Sequence, residues 1–234
     1  MEAVDIVAIG AHPDDVEIGC GGLLAKEISR GYSVGIVDLT LGELGTNGTV
    51  EERQVESQNA AKLLGTKWRV NLQIADNNID LSKENLAKVV EVIRKAKPKL
   101  LLAHYWFDRH PDHEAASQLV TKANFQAGLR MLYPELEPHR AKEILYYFVN
   151  YDEEPTFIVD ISEFFEKKKE IILAHVSQFK RENRFLPTIL NESMPHLVES
   201  RNRYFGAKIK ALYGEGYVIK NSLAIQDPME HWGG

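Results

Sequence analysis

Short apolar runs alternate with amphipathic stretches along the first half of this chain. The apolar runs are rich in Val, Ile and Leu, which is typical of strands that are buried on both faces. Strands of this kind, separated by helices, indicate a parallel sheet with right-handed crossovers and helices on both sides. The pattern therefore predicts an α/β fold with a Rossmann-like, doubly wound core. Its predicted strands are DIVAIG (5–10), SVGIVDLT (33–40), WRVNLQIAD (68–76) and KLLLAHY (99–105), and its predicted helices are Glu17–Arg30, Val50–Leu64 and Lys83–Ala96.

The second half of the chain continues this pattern less regularly. No repeat or long polar linker divides the 234 residues, so we expect one domain, a core over about 1–130 with an extension after it. The elements predicted here are a helix starting within or just after HPDHEAASQLVTKANFQAGL (110–129), the strands EILYYFVN (143–150) and TFIVDIS (156–162), the helices Glu163–Lys180 and Pro195–Tyr213, and a late strand, YVIKNSLAI (217–225).

Histidine and aspartate are concentrated in two four-residue segments. HPDD (12–15) follows the first predicted strand, and HPDH (110–113) follows the fourth. Ligands of open α/β sheets bind beyond the carboxyl ends of the strands, near the point where the strand order reverses, so we expect both segments at one edge. Either segment alone is also explained as a turn with helix-capping aspartates. Both segments together at one edge favour a functional site.

These side chains suit a catalytic metal site. Two histidines and one carboxylate, with a position left for water, are typical ligands of catalytic zinc, and ferrous iron accepts the same set. In the Asp-Asp pair, one carboxylate is free to bind the metal while the other acts as general base on the water. A histidine that does not bind the metal can donate a proton to the leaving group, and a nearby aspartate can orient it.

Other functions fit the same residues less well. The glycine-rich GELGTNG (42–48) lacks the Lys-Ser/Thr of a P-loop, and GCGG (19–22) follows the helix start instead of preceding it as in dinucleotide-binding folds. We expect GELGTNG to cover the site. A phosphoesterase often needs a second metal and more carboxylates than these loops offer. A nucleotide- or sugar-binding module without catalysis would have no use for two adjacent aspartates.

Charge and cysteine content limit the partners and the compartment. The formal net charge of −6 argues against a nucleic-acid surface. No apolar run approaches the roughly 20 residues of a membrane span, and we expect no leader segment. The single cysteine, Cys20, excludes an intramolecular disulfide and fits a reducing compartment, so we expect a cytoplasmic protein in which Cys20 is a packing residue.

Five further histidines lie outside these two segments. His104, at the end of the fourth strand, could line the site, but we expect a satisfied core residue. We expect the others to lie at the surface or in local caps; they are His139, His175, His196 and His231.

AHPDD after the first strand and HPDH after the fourth resemble the paired motifs of the PIG-L/LmbE-like family of zinc-dependent N-acetylglucosamine deacetylases. GELGTNGTVEERQVESQNAAKLLG (42–65) and ADNNI (75–79) resemble further segments of that family. The resemblance covers about the first half of the chain and is strongest to the bacillithiol biosynthesis deacetylases. It implies hydrolysis of the acetamide of an N-acetylglucosamine derivative, N-acetylglucosaminyl-malate in that subgroup, by a homo-oligomer such as a hexamer. A different acylated sugar or small molecule is the alternative substrate.

The resemblance also implies roles for individual residues. Asp14 would be the general base for the attacking water. His110 would protonate the departing amine and help to stabilise the oxyanion, with Asp112 orienting it. The implied zinc ligands are His12, Asp15 and His113.

For substrate binding, the resemblance implies that Arg53 and Asp76 hold the sugar or its aglycone. Some relatives have a tyrosine two residues before HPDH that assists the oxyanion, whereas this chain has Asp108 there. The second oxyanion donor is therefore open, with Arg109 and Arg140 as the candidates.

Overall fold

Seven strands of the computed structural model form a single sheet, and the structure describes residues 1–180 and 184–223. The strands are β1 (Ile6–Gly10), β2 (Val34–Thr40), β3 (Trp68–Ile74), β4 (Leu100–His104), β5 (Glu143–Tyr147), β6 (Phe157–Asp160) and β7 (Gly214–Val218). Their order is β3-β2-β1-β4-β5-β7-β6. The first five are parallel, whereas β7 runs antiparallel to both of its neighbours. The predicted doubly wound, mostly parallel sheet is confirmed.

Helices cover both faces of this sheet. They are α1 (Asp15–Ser29), α2 (Val50–Leu64), α3 (Lys83–Ala96), α4 (Pro111–Ala127), α5 (Phe165–Leu173), α6 (Val176–Phe179), α7 (Ile189–Glu192) and α8 (Met194–Lys208). Side chains of β1 alternate between two cores: Val7 and Ile9 join α3 and α4, while Ile6 and Ala8 join α1, α5 and α8. Among the described residues, no helix is long and apolar enough to cross a bilayer.

Helices α2 and α3 begin and end where the sequence predicts. The Thr49 side chain accepts from the Glu52 N–H and the Glu52 carboxylate accepts from the Thr49 N–H, a capping box at the start of α2. Gly65 ends α2 with a left-handed φ of 91°. Ser82 caps α3 by accepting from the Asn85 N–H. These signals are local, so the sequence reveals them.

Helix α1 is interrupted at Cys20, whose φ of −141° and ψ of 15° are not helical. The helix restarts directly after this break, and the carboxylate of Glu215 in β7 accepts from the backbone N–H groups of Gly22 and Leu23 at 2.9 and 2.7 Å. Lys168 donates to the same carboxylate at 2.6 Å, so the buried charge of Glu215 is paired. A strand near the other end of the chain therefore caps the second half of α1.

The GCGG segment serves packing. A Cβ on Gly19 would lie 2.1 Å from the Tyr147 ring, so only glycine lets α1 approach β5 this closely. The Tyr147 hydroxyl donates to the Ile9 carbonyl of β1 at 2.7 Å. Cys20 is buried beside it, as predicted.

The second half departs from the predicted bounds. The single predicted helix over 163–180 is a 3₁₀ turn (Ser162–Phe164) followed by α5 and α6, with a break after Leu173. The late strand β7 starts three residues earlier than predicted. The prediction left out its first residues because two of them are glycines, which have a low strand propensity. The last two residues of the predicted strand lie outside the described residues.

Candidate active site

The loops after β1, β3 and β4 meet at the carboxyl edge of the sheet, where β1 and β4 lie side by side and the strand order reverses. The HPDD and HPDH segments therefore lie together, as the sequence predicts. The loops surround a cavity of about 400 Å³. Eight predicted site residues line it: His12, Asp14, Asp15, Arg53, Asp76, Arg109, His110 and His113.

A buried group of His12, Asp15 and His113 lies at one end of the cavity, with the ligand-type atoms within 4.8 Å of one another. The Asp15 carboxylate lies between the two rings, 3.3 Å from Nδ1 of His12 and 3.2 Å from Nε2 of His113. Two imidazoles and a carboxylate fit a divalent zinc or iron ion. A second group within the same distance shares His12 and adds His110 and Asp112.

Carboxylates hold the opposite nitrogens of the two rings. Nε2 of His12 lies 3.1 Å from Asp76 and 3.5 Å from Asp112, and Nδ1 of His113 lies 3.2 Å from Asp108. Partners of this kind fix the orientation of a metal-binding imidazole and raise its basicity. Burial disfavours the protonated, charged form of both rings, but the nearby carboxylates stabilise that form by more. They raise the pKa of His12 well above its usual value and that of His113 to about 9.

Asp14 lies next to this group without belonging to it. Its side chain is buried, and among the described residues its Oδ2 has no hydrogen-bond partner. Burial raises the pKa of Asp14 to about 6, although the Arg53 guanidinium, 3.7 Å from Oδ2, opposes the shift. A carboxylate with a pKa near neutrality can take a proton from water and release it again.

His110 is the N-cap of α4, and its Nδ1 accepts from the backbone N–H of Asp112 at 3.3 Å. The contact between the two residues is therefore through the backbone. The Asp112 carboxylate accepts from the Asn77 N–H at 2.7 Å and lies 3.5 Å from Nε2 of His12, within 4.8 Å of a His110 ring nitrogen. Its predicted role in orienting His110 stays a prediction. Burial and the nearby His12 and His113 lower the pKa of His110. Because Nδ1 accepts this hydrogen bond, the neutral form of the ring would carry its proton on Nε2.

A family model described as PIG-L, GlcNAc-PI de-N-acetylase, matches residues 7–124, which include His12, Asp15 and His113. The chain belongs to the PIG-L family. It is thus a deacetylase, an enzyme that hydrolyses N-acetyl amide bonds.

The chain is also similar to three known proteins. Diacetylchitobiose deacetylase of Thermococcus kodakarensis is 32% identical over 189 residues, covering 74% of this chain and 70% of that protein. A probable N-acetyl-alpha-D-glucosaminyl L-malate deacetylase 2 of Bacillus subtilis is 28% identical over 207 residues, covering 81% and 90%. The crystal structure of the conserved protein TT1542 from Thermus thermophilus superimposes with a TM-score of 0.87 at 35% identity, covering 95% and 98%.

The substrate-binding residues predicted from the PIG-L resemblance fall in different environments. Arg53 is buried and donates to the Gly42 and Pro13 carbonyls at 2.9 and 3.0 Å. Asp76 lines the cavity, but its oxygens face His12 and the Leu44 N–H.

Of the two arginines proposed as oxyanion donors, only one lies at the cavity. Arg109 is exposed there. Arg140 is not a lining residue, which corrects that prediction: it donates to the Phe125 carbonyl at 2.7 Å and stacks on the Phe125 ring. An arginine held by α4 at its far end is not available to this site.

Three residues that support the site were not assigned a role in it by sequence reasoning: Asp108, His104 and Asn150. Asp108 contacts His113, and Asn150, which follows β5, donates to the Asp108 carboxylate at 2.7 Å. His104 stacks on His113 at 4.1 Å and accepts from the Ala11 N–H at 3.0 Å. Burial and the charge of His113 lower the pKa of His104 to about 4, so it stays neutral. The position of Asp108 in the HPDH loop was a usable signal, whereas nothing near Asn150 in the sequence marks it.

Of the histidines predicted at the surface or in local caps, His175 is at the N-cap position of α6, although its side chain makes no capping hydrogen bond. His175 is fully buried, because it fills the break between α5 and α6, with Nε2 3.2 Å from the buried carboxylate of Glu17. Glu17 also accepts from Arg69 at 2.5 Å. His196 is exposed and His104 is buried, as predicted; His231 lies outside the described residues.

Proposed function

We propose that this deacetylase hydrolyses the acetamide of an N-acetylglucosamine derivative with a zinc ion held by His12, Asp15 and His113; ferrous iron suits the same ligands. The observation that carries the proposal is the position of Asp14. Its buried carboxylate, with a pKa of about 6, lies in the wall of the cavity beside the three ligand side chains. A base at this position serves a water-dependent reaction and has no purpose in a binding module.

The side chains divide the work of amide hydrolysis. The chemistry that a divalent cation supplies at such a group is polarisation of the acetamide carbonyl and acidification of the attacking water. Asp14 accepts the proton of that water as its oxygen bonds to the carbonyl carbon. The Nε2 proton of neutral His110 donates a hydrogen bond to the developing oxyanion.

The proton must then reach the amine nitrogen as the C–N bond breaks and acetate forms. A second proton on His110 would displace the hydrogen bond from the Asp112 N–H to Nδ1. We therefore assign protonation of the amine to Asp14, which carries the proton taken from water, in place of the role first predicted for His110.

For the aglycone we propose malate, as in N-acetylglucosaminyl-malate of bacillithiol biosynthesis. Arg109 supports this choice, since it is exposed at the cavity and has no hydrogen bond or ion pair within the described residues. A guanidinium without a partner can bind a carboxylate in two-pronged geometry. The name of the Bacillus subtilis relative agrees with this substrate, and that of the Thermococcus relative points to diacetylchitobiose, which has no carboxylate.

Acetate release tests both levels of the proposal. N-acetylglucosaminyl-malate and diacetylchitobiose are each incubated with zinc-loaded and with chelated protein. We expect release from the malate compound that stops on chelation and returns with zinc, and we expect Arg109→Gln to raise KM for that substrate only. Faster release from diacetylchitobiose would reject malate while keeping the deacetylase; release unaffected by chelation would reject the metal.

We also propose that the enzyme acts in the cytoplasm as a homo-oligomer. The single cysteine supports a reducing compartment. Light scattering after size-exclusion chromatography measures the assembly directly, and a monomer at micromolar concentration would contradict it.

A further inference from the structure

Asn47, in the GELGTNG segment, is buried and makes two hydrogen bonds to a residue 139 positions further along the chain. Its side-chain nitrogen donates to the Leu186 carbonyl at 2.8 Å, and its side-chain oxygen accepts from the Leu186 N–H at 2.8 Å. One amide thus satisfies both backbone groups of one residue, as a paired strand would. Neither bond goes to the GELGTNG segment itself, so a local turn does not explain a buried asparagine here.

The backbone of Asn47 is fixed independently of Leu186. Its carbonyl accepts from the side-chain nitrogen of Gln178 in α6 at 2.7 Å. The next residue, Gly48, has a φ of 76°, and a Cβ there would lie 2.6 Å from Oγ of Ser177, also in α6. The Asn47 side chain therefore projects from a backbone packed against α6 and is a fixed point of attachment.

The segment that begins at Leu186 is shaped by contacts within itself. The Asn191 side chain donates to the Leu186 carbonyl at 3.0 Å and forms a capping box with Thr188 at the start of α7. Helix α7 has four residues, too few to be stable without support from the rest of the protein. These contacts set the shape of the segment, so its position depends on what attaches it.

Leu186 is attached mainly by Asn47. The Leu186 side chain is 62% exposed, so its burial contributes little. The nearby ion pair of Arg184 with Glu52 is exposed, and such pairs add little to stability. Leu190, further along, is half-buried against the core. The two hydrogen bonds to Asn47 therefore fix the first half of the segment.

The two segments that Asn47 joins both line the cavity. The lining residues they contribute are Leu44, Gly45, Thr46, Thr188, Ile189 and Leu190. The aliphatic side chains among them suit the C–H face of a pyranose ring, as apolar linings do in small-molecule sites. Asn47 itself does not line the cavity, so any effect it has on a substrate acts through these neighbours.

We propose that Asn47 is a positioning residue that joins the two segments into one wall of the cavity, and that this wall contacts the sugar ring of the substrate. The inference rests on the proposed function, which supplies the sugar. The metal-binding group and Asp14 lie on the loops after β1 and β4, and within the described residues Asn47 makes no hydrogen bond to either loop. Loss of Asn47 therefore weakens binding of the sugar while the reacting groups keep their arrangement.

The attachment is tested without any substrate. Asn47→Asp keeps the size of the side chain but places a carboxylate oxygen against the Leu186 carbonyl, so that the donated hydrogen bond is lost. We expect amide hydrogen exchange in a peptide spanning residues 184–193 to be about tenfold faster or more. Asn59→Asp is the matched control, because Asn59 is exposed on α2. Equal exchange in Asn47→Asp and the wild type would overturn the proposal.

The role in binding is tested by acetate release from N-acetylglucosaminyl-malate and diacetylchitobiose. For whichever is turned over, Asn47→Asp should raise KM by about tenfold and leave kcat within about twofold, the pattern of lost ground-state binding. Metal content should not change. The Kd of D-glucosamine, measured by calorimetry, should rise by a similar factor. Asn47→Ala, which removes both hydrogen bonds without adding a charge, should behave in the same way.

Other outcomes separate this role from a structural one. Faster exchange with KM, kcat and D-glucosamine binding unchanged would show that the wall does not contact the sugar, and a fall in kcat at constant KM would place the effect on the reacting groups; either result overturns the proposal. Circular dichroism establishes that each variant is folded. If the wild type hydrolyses no acetamido sugar, the proposed function fails, whereas the exchange measurement still decides whether Asn47 joins the two segments.

Discussion

The carboxylate of Asp108 lies 3.2 Å from Nδ1 of His113, on the side of the ring opposite Asp15. Asp108 also accepts from the His110 N–H at 2.9 Å and from the Asn150 N–H at 3.1 Å, so both the HPDH segment and the residues after β5 fix its position. It orients a proposed metal ligand from a position where some relatives have a tyrosine.

Asp108→Asn should weaken metal binding. The amide keeps the shape of the carboxylate but removes the negative charge that makes His113 basic, and loss of such a partner typically costs about 10–100-fold in affinity. Competition with a chromophoric chelator measures this. Asp152→Asn is the matched control, because Asp152 is exposed. An affinity equal to that of the wild type would show that Asp108 does not support the metal site.

Asp14→Asn should keep the metal and lose turnover. Asp14 is not part of the His12-Asp15-His113 group, and an amide cannot accept the proton of water. We expect kcat to fall by about 10²–10⁴-fold, the usual contribution of a general base. The measurement pairs acetate release with metal content by atomic emission. If the variant turns over at the wild-type rate, another group is the base.

Metal affinity should rise with pH between about 6.5 and 9. The pKa of His113 is raised to about 9 in the metal-free protein, so a proton occupies the ring over this range and must leave before the ring can bind a metal. Calorimetry in buffers of different ionisation enthalpy counts the protons released. Binding that releases no proton at pH 7.5 would contradict this assignment.

The stability of the metal-free fold should fall with pH, whereas its affinity for metal rises. A group with a raised pKa in the folded state stabilises the fold fully below its unfolded pKa, and that contribution is lost as the pH rises through the folded pKa. For His113 this window runs from its ordinary value of 6.5 to about 9. Urea unfolding of chelated protein should therefore show stability falling over that range, while His113→Gln should show a flatter profile.

Arg94→Met should destabilise the fold by about 2–4 kcal/mol, because it leaves buried carbonyl oxygens without donors. The Arg94 side chain is buried and donates to four carbonyl groups at the end of α4 and in the segment that follows it, those of Ala127, Leu129, Tyr133 and Leu136. Arg30→Met is the control, since Arg30 is largely exposed. Urea denaturation measures both variants; a free energy of unfolding equal to that of Arg30→Met would show that the Arg94 contacts contribute nothing.

The features that the sequence predicts correctly are those determined by residues close together in the chain or by the order of the strands. The bounds of α2 and α3 follow from their caps, and the meeting of the HPDD and HPDH segments follows from parallel strands sharing one edge. The departures depend on distant contacts. The break in α1 at Cys20 is stabilised by Glu215, and the interrupted helix after β6 is explained by the burial of His175 against Glu17.

The site shows the same division. The proposed metal ligands and the proposed base lie within the HPDD and HPDH segments, so the sequence alone identifies them as candidates. Their roles stay predictions. The protein contacts of Asp112 and Arg53 could not be predicted, because the direction of a side chain depends on what the fold places beside it. Asn150 follows a strand with no unusual residue around it, and only the pairing of β4 with β5 brings it to Asp108.

The cap that Glu215 places on α1 has a consequence for how the protein is made. The hydrogen bond from the Gly22 N–H joins residues 193 positions apart in the chain. During synthesis, the helix that begins at Asp15 lacks its midpoint cap until Glu215 has left the ribosome. A nascent chain that stalls in its second half would thus hold every proposed metal ligand while the helix beneath them is unfinished.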